Sequence, residues 1–239
     1  MNTAVHVVDD WIRRREPNYV TVTGVHGVME SQKDMDLRKI HNRAGMVTPD
    51  GMPLVWLGRL NGRKDITRVY GPDLMLAICK QSTTAGYRHY FYGGNEGVPE
   101  ILKAKLVQRF PGLNVVGTYS PPFRQLTEEE DKGVVDMINA AEPDIVWVGL
   151  STPKQERWMA QHRDRLNAPV LIGVGAAFDF NADLKKRAPR WMQRNGLEWF
   201  FRLCSEPRRL WRRYLWANTF FLLFLAASAL GLKRYANEW

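Results

Sequence analysis

Six short runs rich in β-branched and aromatic residues recur along the chain, at residues 19–23, 45–48, 88–92, 113–117, 145–149 and 169–174, with turn residues and helix-length segments between them. Several of these runs are apolar at nearly every position. Strands that alternate with helices and are buried on both faces belong to a parallel sheet covered by helices above and below. The pattern therefore predicts an α/β fold, a Rossmann-like mostly parallel sheet with helices on both faces. Helices are expected over 73–84, 99–110, 127–141 and 154–166. Pro99 suits a first helical turn after Gly97, and Thr127 with Glu130 three positions on has the form of a capping box.

The texture changes after Asp183, where Trp, Arg and Leu fill long helical runs that start at Pro189 and resume after Pro207. We read residues 1–188 as the α/β core and 189–239 as a helical appendage. Residues 214–232 form nineteen uncharged positions between Arg213 and Lys233. A spanning helix needs about 20 apolar residues, so the length is marginal. Asn218, Thr219 and Ser228 dilute the run, and Trp211, Trp216, Tyr235 and Trp239 supply interfacial aromatics. The appendage is expected to associate with a membrane, lying on its surface or crossing it.

A formal net charge of +9 points to an anionic partner, whether phosphorylated substrate, anionic membrane or nucleic acid. The excess is local: between Lys185 and Arg213 ten Lys/Arg face only Glu198 and Glu206. Cys79 and Cys204 are far apart in apolar helical patterns and suggest neither a disulfide framework nor a Cys-based metal site. The polar, mixed-charge start around Asp9, Asp10 and Arg13 lacks the apolar core of a secretory signal, so a cytoplasmic setting is expected.

Ligands of open α/β sheets bind at the carboxyl ends of the strands, so the loops there are the first candidates. Thr48-Pro49-Asp50-Gly51-Met52-Pro53 fixes one carboxylate between prolines and a glycine. Asp50 is either a base positioned to take a proton from a hydroxyl or a turn and cap residue. Tyr92-Gly93-Gly94-Asn95-Glu96-Gly97 is a glycine-rich turn before a helix, open to a phosphate reading or to a purely conformational one. Gly149 to Glu156 places polar side chains at a first helical turn, where Gln155 suits a uracil or sugar edge and Thr152 suits a cap. The small residues from Gly173 to Ala177, ahead of Asp179, allow close backbone approach to a ligand or to a neighbouring helix.

Arg202, Arg209 and Arg212 are seven and three apart, which a continuous helix would place on one face, with Pro207 as a possible bend. Guanidiniums so grouped suit a diphosphate, or an anionic lipid surface. Asp34-Met35-Asp36 has the DxD form of metal-holding transferases but lies at the polar start of a helix expected over 34–42, where acids favour the dipole. The five histidines lack ligand spacing, and only His26, next to a strand end, is placed near a site. No metal and no cofactor is expected.

Six ordered blocks carry a resemblance: TPDGMPLVW at 48–56, RVYGPDLM at 68–75, FYGG at 91–94, VGLSTPKQE at 148–156, RAPRW at 187–191 and LEWFFRLCSEPRRLWRRY at 197–214. Together they resemble the WecG/TagA/CpsF family of bacterial glycosyltransferases, glycosyltransferase family 26, over nearly the whole chain. The resemblance implies an inverting, metal-independent transfer of a hexose or N-acetylhexosamine from a UDP-sugar to a polyprenyl-diphosphate-linked sugar. The product is a β-linked lipid-linked disaccharide for surface-polysaccharide biosynthesis, made by a peripheral or monotopic protein at the cytoplasmic face of the inner membrane. It implies Asp50 as the base and Arg68, Gln155, Arg202, Arg209 and Arg212 as substrate-binding residues; with them we count Thr23 as catalytic and, from their strand-end loops, Gly93, Gly94 and His26 as substrate-binding. The chain departs from the family at the first strand, where Val22-Thr23-Gly24 replaces the common Thr-x-Asn. The expected partners are thus a UDP-sugar, the polyprenyl-diphosphate acceptor and the membrane surface, not nucleic acid. A basic nucleic-acid-binding protein and a non-catalytic membrane-associated protein are the alternatives that composition alone permits.

Overall fold

The structure is a computed structural model that describes residues 1–229. In chain order its elements are α1 (Asn2–Arg14), β1 (Asn18–Thr23), α2 (Val25–Lys33), α3 (Met35–Arg43), β2 (Met46–Pro49), α4 (Met52–Leu60) and α5 (Gly71–Ala85). There follow β3 (Arg88–Gly93), α6 (Val98–Arg109), β4 (Asn114–Tyr119), α7 (Glu128–Ala140), β5 (Ile145–Gly149), α8 (Lys154–His162), β6 (Val170–Gly173) and α9 (Ala177–Asn181). The last three are α10 (Arg190–Arg194), α11 (Glu198–Ser205) and α12 (Pro207–Ala229). The chain forms two compact units, one of Met1–Val22, Ala44–Thr48 and Val69–Lys186, the other of Thr23–Arg43, Pro49–Arg68 and the segment from Arg187.

All six expected strands are present in one sheet of order β2-β1-β6-β5-β3-β4. The pairs β1–β6, β6–β5, β5–β3 and β3–β4 are parallel, with Asn18 opposite Val170, Ile145 opposite Val170 and Phe91 opposite Trp147. Side chains alternate across the pleat. Ile145 and Trp147 of β5, with Phe91 of β3, enter a core with Ala4, Val8 and Ile12 of α1 and Leu102 and Leu106 of α6. The adjacent Tyr90 and Tyr92 turn the other way, where the Tyr90 hydroxyl meets Met137 Sδ of α7 and Tyr92 stacks on Trp158 of α8 at 4.2 Å.

The capping box forms as the sequence predicts: Thr127 Oγ1 accepts from the Glu130 N–H at 3.2 Å and the Glu130 carboxylate accepts from the Thr127 N–H at 2.9 Å. Pro99 lies in the first turn of α6 behind Gly97, whose φ of 79° is left-handed. In the second unit α12 packs along α2, and Lys33 Nζ sits 3.3 Å from the centre of the Trp216 ring. Among the described residues no helix is long and apolar enough to cross a membrane. Residues 230–232, Tyr235 and Trp239 of the expected membrane-associating tail lie outside the described residues.

Candidate functional site

In the second unit two of the expected site residues, Thr23 and Arg68, are hydrogen-bonded to Asp50. Its N–H donates to the Thr23 carbonyl at 3.0 Å, and its own carbonyl accepts from Arg68 Nε at 2.6 Å. Both peptide groups of the residue are thereby tied down. The Asp50 Oδ2 lies 3.8 Å from where a Cβ on Gly24 would stand, beside the start of α2, the end of a helix that attracts negative charge. The following helix α4 opens on Gly51, so Asp50 is not its N-cap residue.

Arg68 is held from the far side as well. Its Nη2 donates to Glu198 Oε2 of α11 and its Nη1 to Gln193 Oε1 of α10 at 3.5 Å. The Arg68 and Glu198 side chains are only 16% and 14% exposed, so the pair is mostly out of water. Thr23 Oγ1 stands 3.5 Å from His41 Nδ1, and burial lowers the pKa of that imidazole, favouring the neutral ring. His26 lies in the first turn of α2 with its Nδ1 3.8 Å from Glu30 Oε1.

The three C-terminal arginines do not share one helix. The chain breaks at Glu206, with φ −134° and ψ 58°, because Pro207 opens a new helix. Arg202 therefore belongs to α11, and Arg209 and Arg212 to α12. Arg209 Nε pairs with Glu206 Oε2 at 2.8 Å, and the Arg212 guanidinium lies 5.2 Å from the Trp211 ring centre.

In the first unit the other candidates cluster at the ends of β3, β5 and β6. Gly93 has φ 115°, and a Cβ there would stand 2.8 Å from the Gly149 backbone, so this glycine permits β3 to close on β5. The Gly94 N–H donates to the Gly149 carbonyl at 2.9 Å, a bond within the protein where a phosphate reading would leave it open. Gln155 is 2% exposed beside Gly173 and Gly175; a Cβ on Gly173 would crowd its amide nitrogen at 3.1 Å, and one on Gly175 would lie in ordinary contact with its Oε1 at 3.5 Å.

Glu156, wholly buried, accepts from Thr152 Oγ1 at 2.8 Å and from Gln155 Nε2 at 3.1 Å. Thr152 thus serves Glu156, while α8 opens on Pro153. With its N–H side turned to a carboxylate, Gln155 presents its carbonyl Oε1, a buried acceptor that has no partner among the described residues. Ser151, ahead of it, is held at φ 67°, a strained value for a residue with a Cβ.

The Asp34-x-Asp36 pair closes a helix start: Asp34 Oδ1 accepts from the Asp36 and Leu37 N–H groups at 3.1 and 3.0 Å. His6, Asp9 and Asp10 bring possible ligand atoms within 4.8 Å of one another. The Asp9 carboxylate, however, already receives Gln81 Nε2, the Tyr87 hydroxyl and Arg13 Nε. Sequence reasoning passed over Glu198, Gln193 and Glu156 as partners of the candidate residues. The one available signal was that Glu198 is one of two acids in a strongly basic stretch.

The sequence profile described as the glycosyl transferase WecG/TagA/CpsF family matches residues 1–235. A Bacillus subtilis protein named N-acetylglucosaminyldiphosphoundecaprenol N-acetyl-beta-D-mannosaminyltransferase is similar, 32% identical over 183 residues that cover 77% of this chain and 69% of the relative. A Bacillus spizizenii protein of the same name is 28% identical over 210 residues, covering 88% of this chain and 79% of the relative.

Proposed function

Because the chain belongs to the WecG/TagA/CpsF family of glycosyl transferases, we propose that it moves a hexose or N-acetylhexosamine from a UDP-sugar to a polyprenyl-diphosphate-linked sugar, inverting the anomeric centre without a metal ion. The relatives' names, which specify an N-acetylmannosaminyl group and an N-acetylglucosaminyldiphosphoundecaprenol acceptor, support this substrate class. The product is a β-linked lipid-linked disaccharide, formed where the cytoplasmic membrane face presents the acceptor.

The observation that carries the reading is the tethering of Asp50 by both its peptide groups, which aims one carboxylate without using it to cap a helix. Asp50 takes the proton of the acceptor hydroxyl as that oxygen attacks the anomeric carbon opposite the diphosphate. Thr23 fixes the base through its carbonyl, and His26 stands in the first turn of the helix beside it. Negative charge then builds on the departing UDP, and Arg202, Arg209 and Arg212 are the cations assigned to it. Gln155 Oε1 accepts from an N–H or O–H of the donor, such as the uracil N3–H, and Gly93 and Gly94 keep the adjoining turn compact.

Exposed Leu215, Phe220, Leu222 and Leu223 on α12 support docking of this segment onto a lipid surface. A panel of UDP-sugars with a polyprenyl-diphosphoryl-sugar acceptor, run with and without EDTA, tests the activity. Turnover should survive EDTA, and its abolition overturns the metal-free mechanism. Asp50→Asn should lose about 10²–10⁴-fold in kcat while keeping UDP affinity; a fully active variant removes Asp50 from the chemistry.

A further inference from the structure

We propose that Glu198, assisted by Gln193, is a positioning residue for the base, acting by holding Arg68 on the Asp50 carbonyl. This role is separate from any arginine contact with a diphosphate and from any contact with a membrane. It rests on the reading of Asp50 as the base.

The geometry runs through one side chain. Arg68 spends its Nε on the Asp50 carbonyl at 2.6 Å, and its two terminal nitrogens on Glu198 and on Gln193. An arginine on a flexible stem loses rotamer freedom when it braces a backbone carbonyl, and a planar fork is fixed only when its other edge is also engaged. Glu198 supplies that engagement with a charged, largely desolvated partner, the kind of hydrogen bond that is strongest. Without it the mostly buried guanidinium loses its carboxylate partner at Nη2, and its hold on the Asp50 carbonyl loosens.

A second contact ties the same two stretches of chain. Gly196, at φ 69° between α10 and α11, would meet the Trp56 ring at 2.8 Å if it carried a Cβ. Trp56 is on α4, the helix that Asp50 leads into. The loop bearing the base is thus gripped through Arg68 and through Trp56, and both grips end on residues 193–198. Each of Glu198 and Gln193 acts on Asp50 only through Arg68, so neither touches the reacting atoms.

The test uses the full chain, a UDP-sugar accepted by the wild type, and a short-chain acceptor soluble without membrane. Glu198→Ala should lower kcat about 10- to 100-fold, the scale of a misplaced reacting group, with the KM for UDP-sugar within about threefold of wild type. Glu198→Gln should fall between, because its amide oxygen still accepts from Arg68. Hydrogen exchange of the peptide covering residues 49–55 should quicken in Glu198→Ala while peptides from α5 to α8 keep wild-type protection. Wild-type kcat and exchange in Glu198→Ala overturn the proposal, as does a rise in KM alone, which would make Glu198 a substrate contact. If exchange quickens everywhere, the milder Glu198→Gln decides by the same two readouts. A wild type inactive with every UDP-sugar counts against the transferase reading, and exchange at 49–55 still decides the brace.

Discussion

Gln155 and its neighbour illustrate how a single buried carboxylate can choose what a site recognises. Glu156 Oε1 accepts from the Gln155 NH₂, which leaves the Gln155 carbonyl as a buried acceptor with no partner among the described residues. A buried acceptor left unmet costs about 1–3 kcal/mol, which a ligand bringing a donor recovers. Glu156→Gln removes the preference, since the new amide can meet either end of Gln155. UDP affinity by titration calorimetry should weaken about 5- to 30-fold, corresponding to roughly 1–2 kcal/mol. An unchanged affinity would mean that the nucleotide is not read at Gln155. Gln155 was a candidate from its strand-end loop and again from the PKQE block. Glu156, in the same block, drew no attention because nothing in a sequence says that an acid near a helix start will be wholly buried.

At the scale of elements, the strands were plain because parallel strands buried on both faces need apolar runs, and Ile145–Gly149 has one bounded by turns. The helix α1 was not legible: polar residues dominate its composition, and its core stripe of Ala4, Val8 and Ile12, flanked by Val5 and Trp11, also carries a buried acid, Asp9. The arginine stripe depended on one unbroken helix, and the break at Glu206 ahead of Pro207 redistributed it over two. The sheet also carries a buried titrating group that no pattern announced. His89 of β3 is fully buried and accepts from Trp147 Nε1 at 2.9 Å, and burial pushes its pKa down to about 3. The unfolded chain takes up that proton near pH 6.5, the folded one only near pH 3, so between these values the unfolded state binds more protons. The stability His89 contributes is complete above about pH 6.5 and is lost as the pH falls toward 3, with a slope approaching ~1.4 kcal/mol per pH unit from this one residue. Urea unfolding at pH 7 and pH 5 should show the loss, and His89→Gln should flatten it; an equal slope in the variant would assign the effect to other groups.

For the whole molecule, the second unit combines exposed Trp211, Leu215, Phe220, Leu222 and Leu223 with the basic run from Arg187 onward. Attraction to an anionic surface is worth about 1 kcal/mol per nearby Lys or Arg and falls off within a Debye length. The full chain should co-sediment with vesicles containing anionic lipid, and molar salt should release a large part of it. Equal binding to neutral vesicles would assign the attachment to the apolar residues alone. That unit is also discontinuous in sequence, built from Thr23–Arg43, Pro49–Arg68 and the stretch from Arg187. A ribosome makes about 120 residues between Arg68 and Arg187, which at about 5–20 residues per second takes roughly 6–24 seconds. During that interval the nascent chain already carries Asp50 and Arg68 but not yet Glu198 or Gln193. If Glu198 is the brace proposed above, it reaches Arg68 only after all six strands have been synthesised, so a chain stalled before Glu198 would carry the loop of Asp50 without its brace.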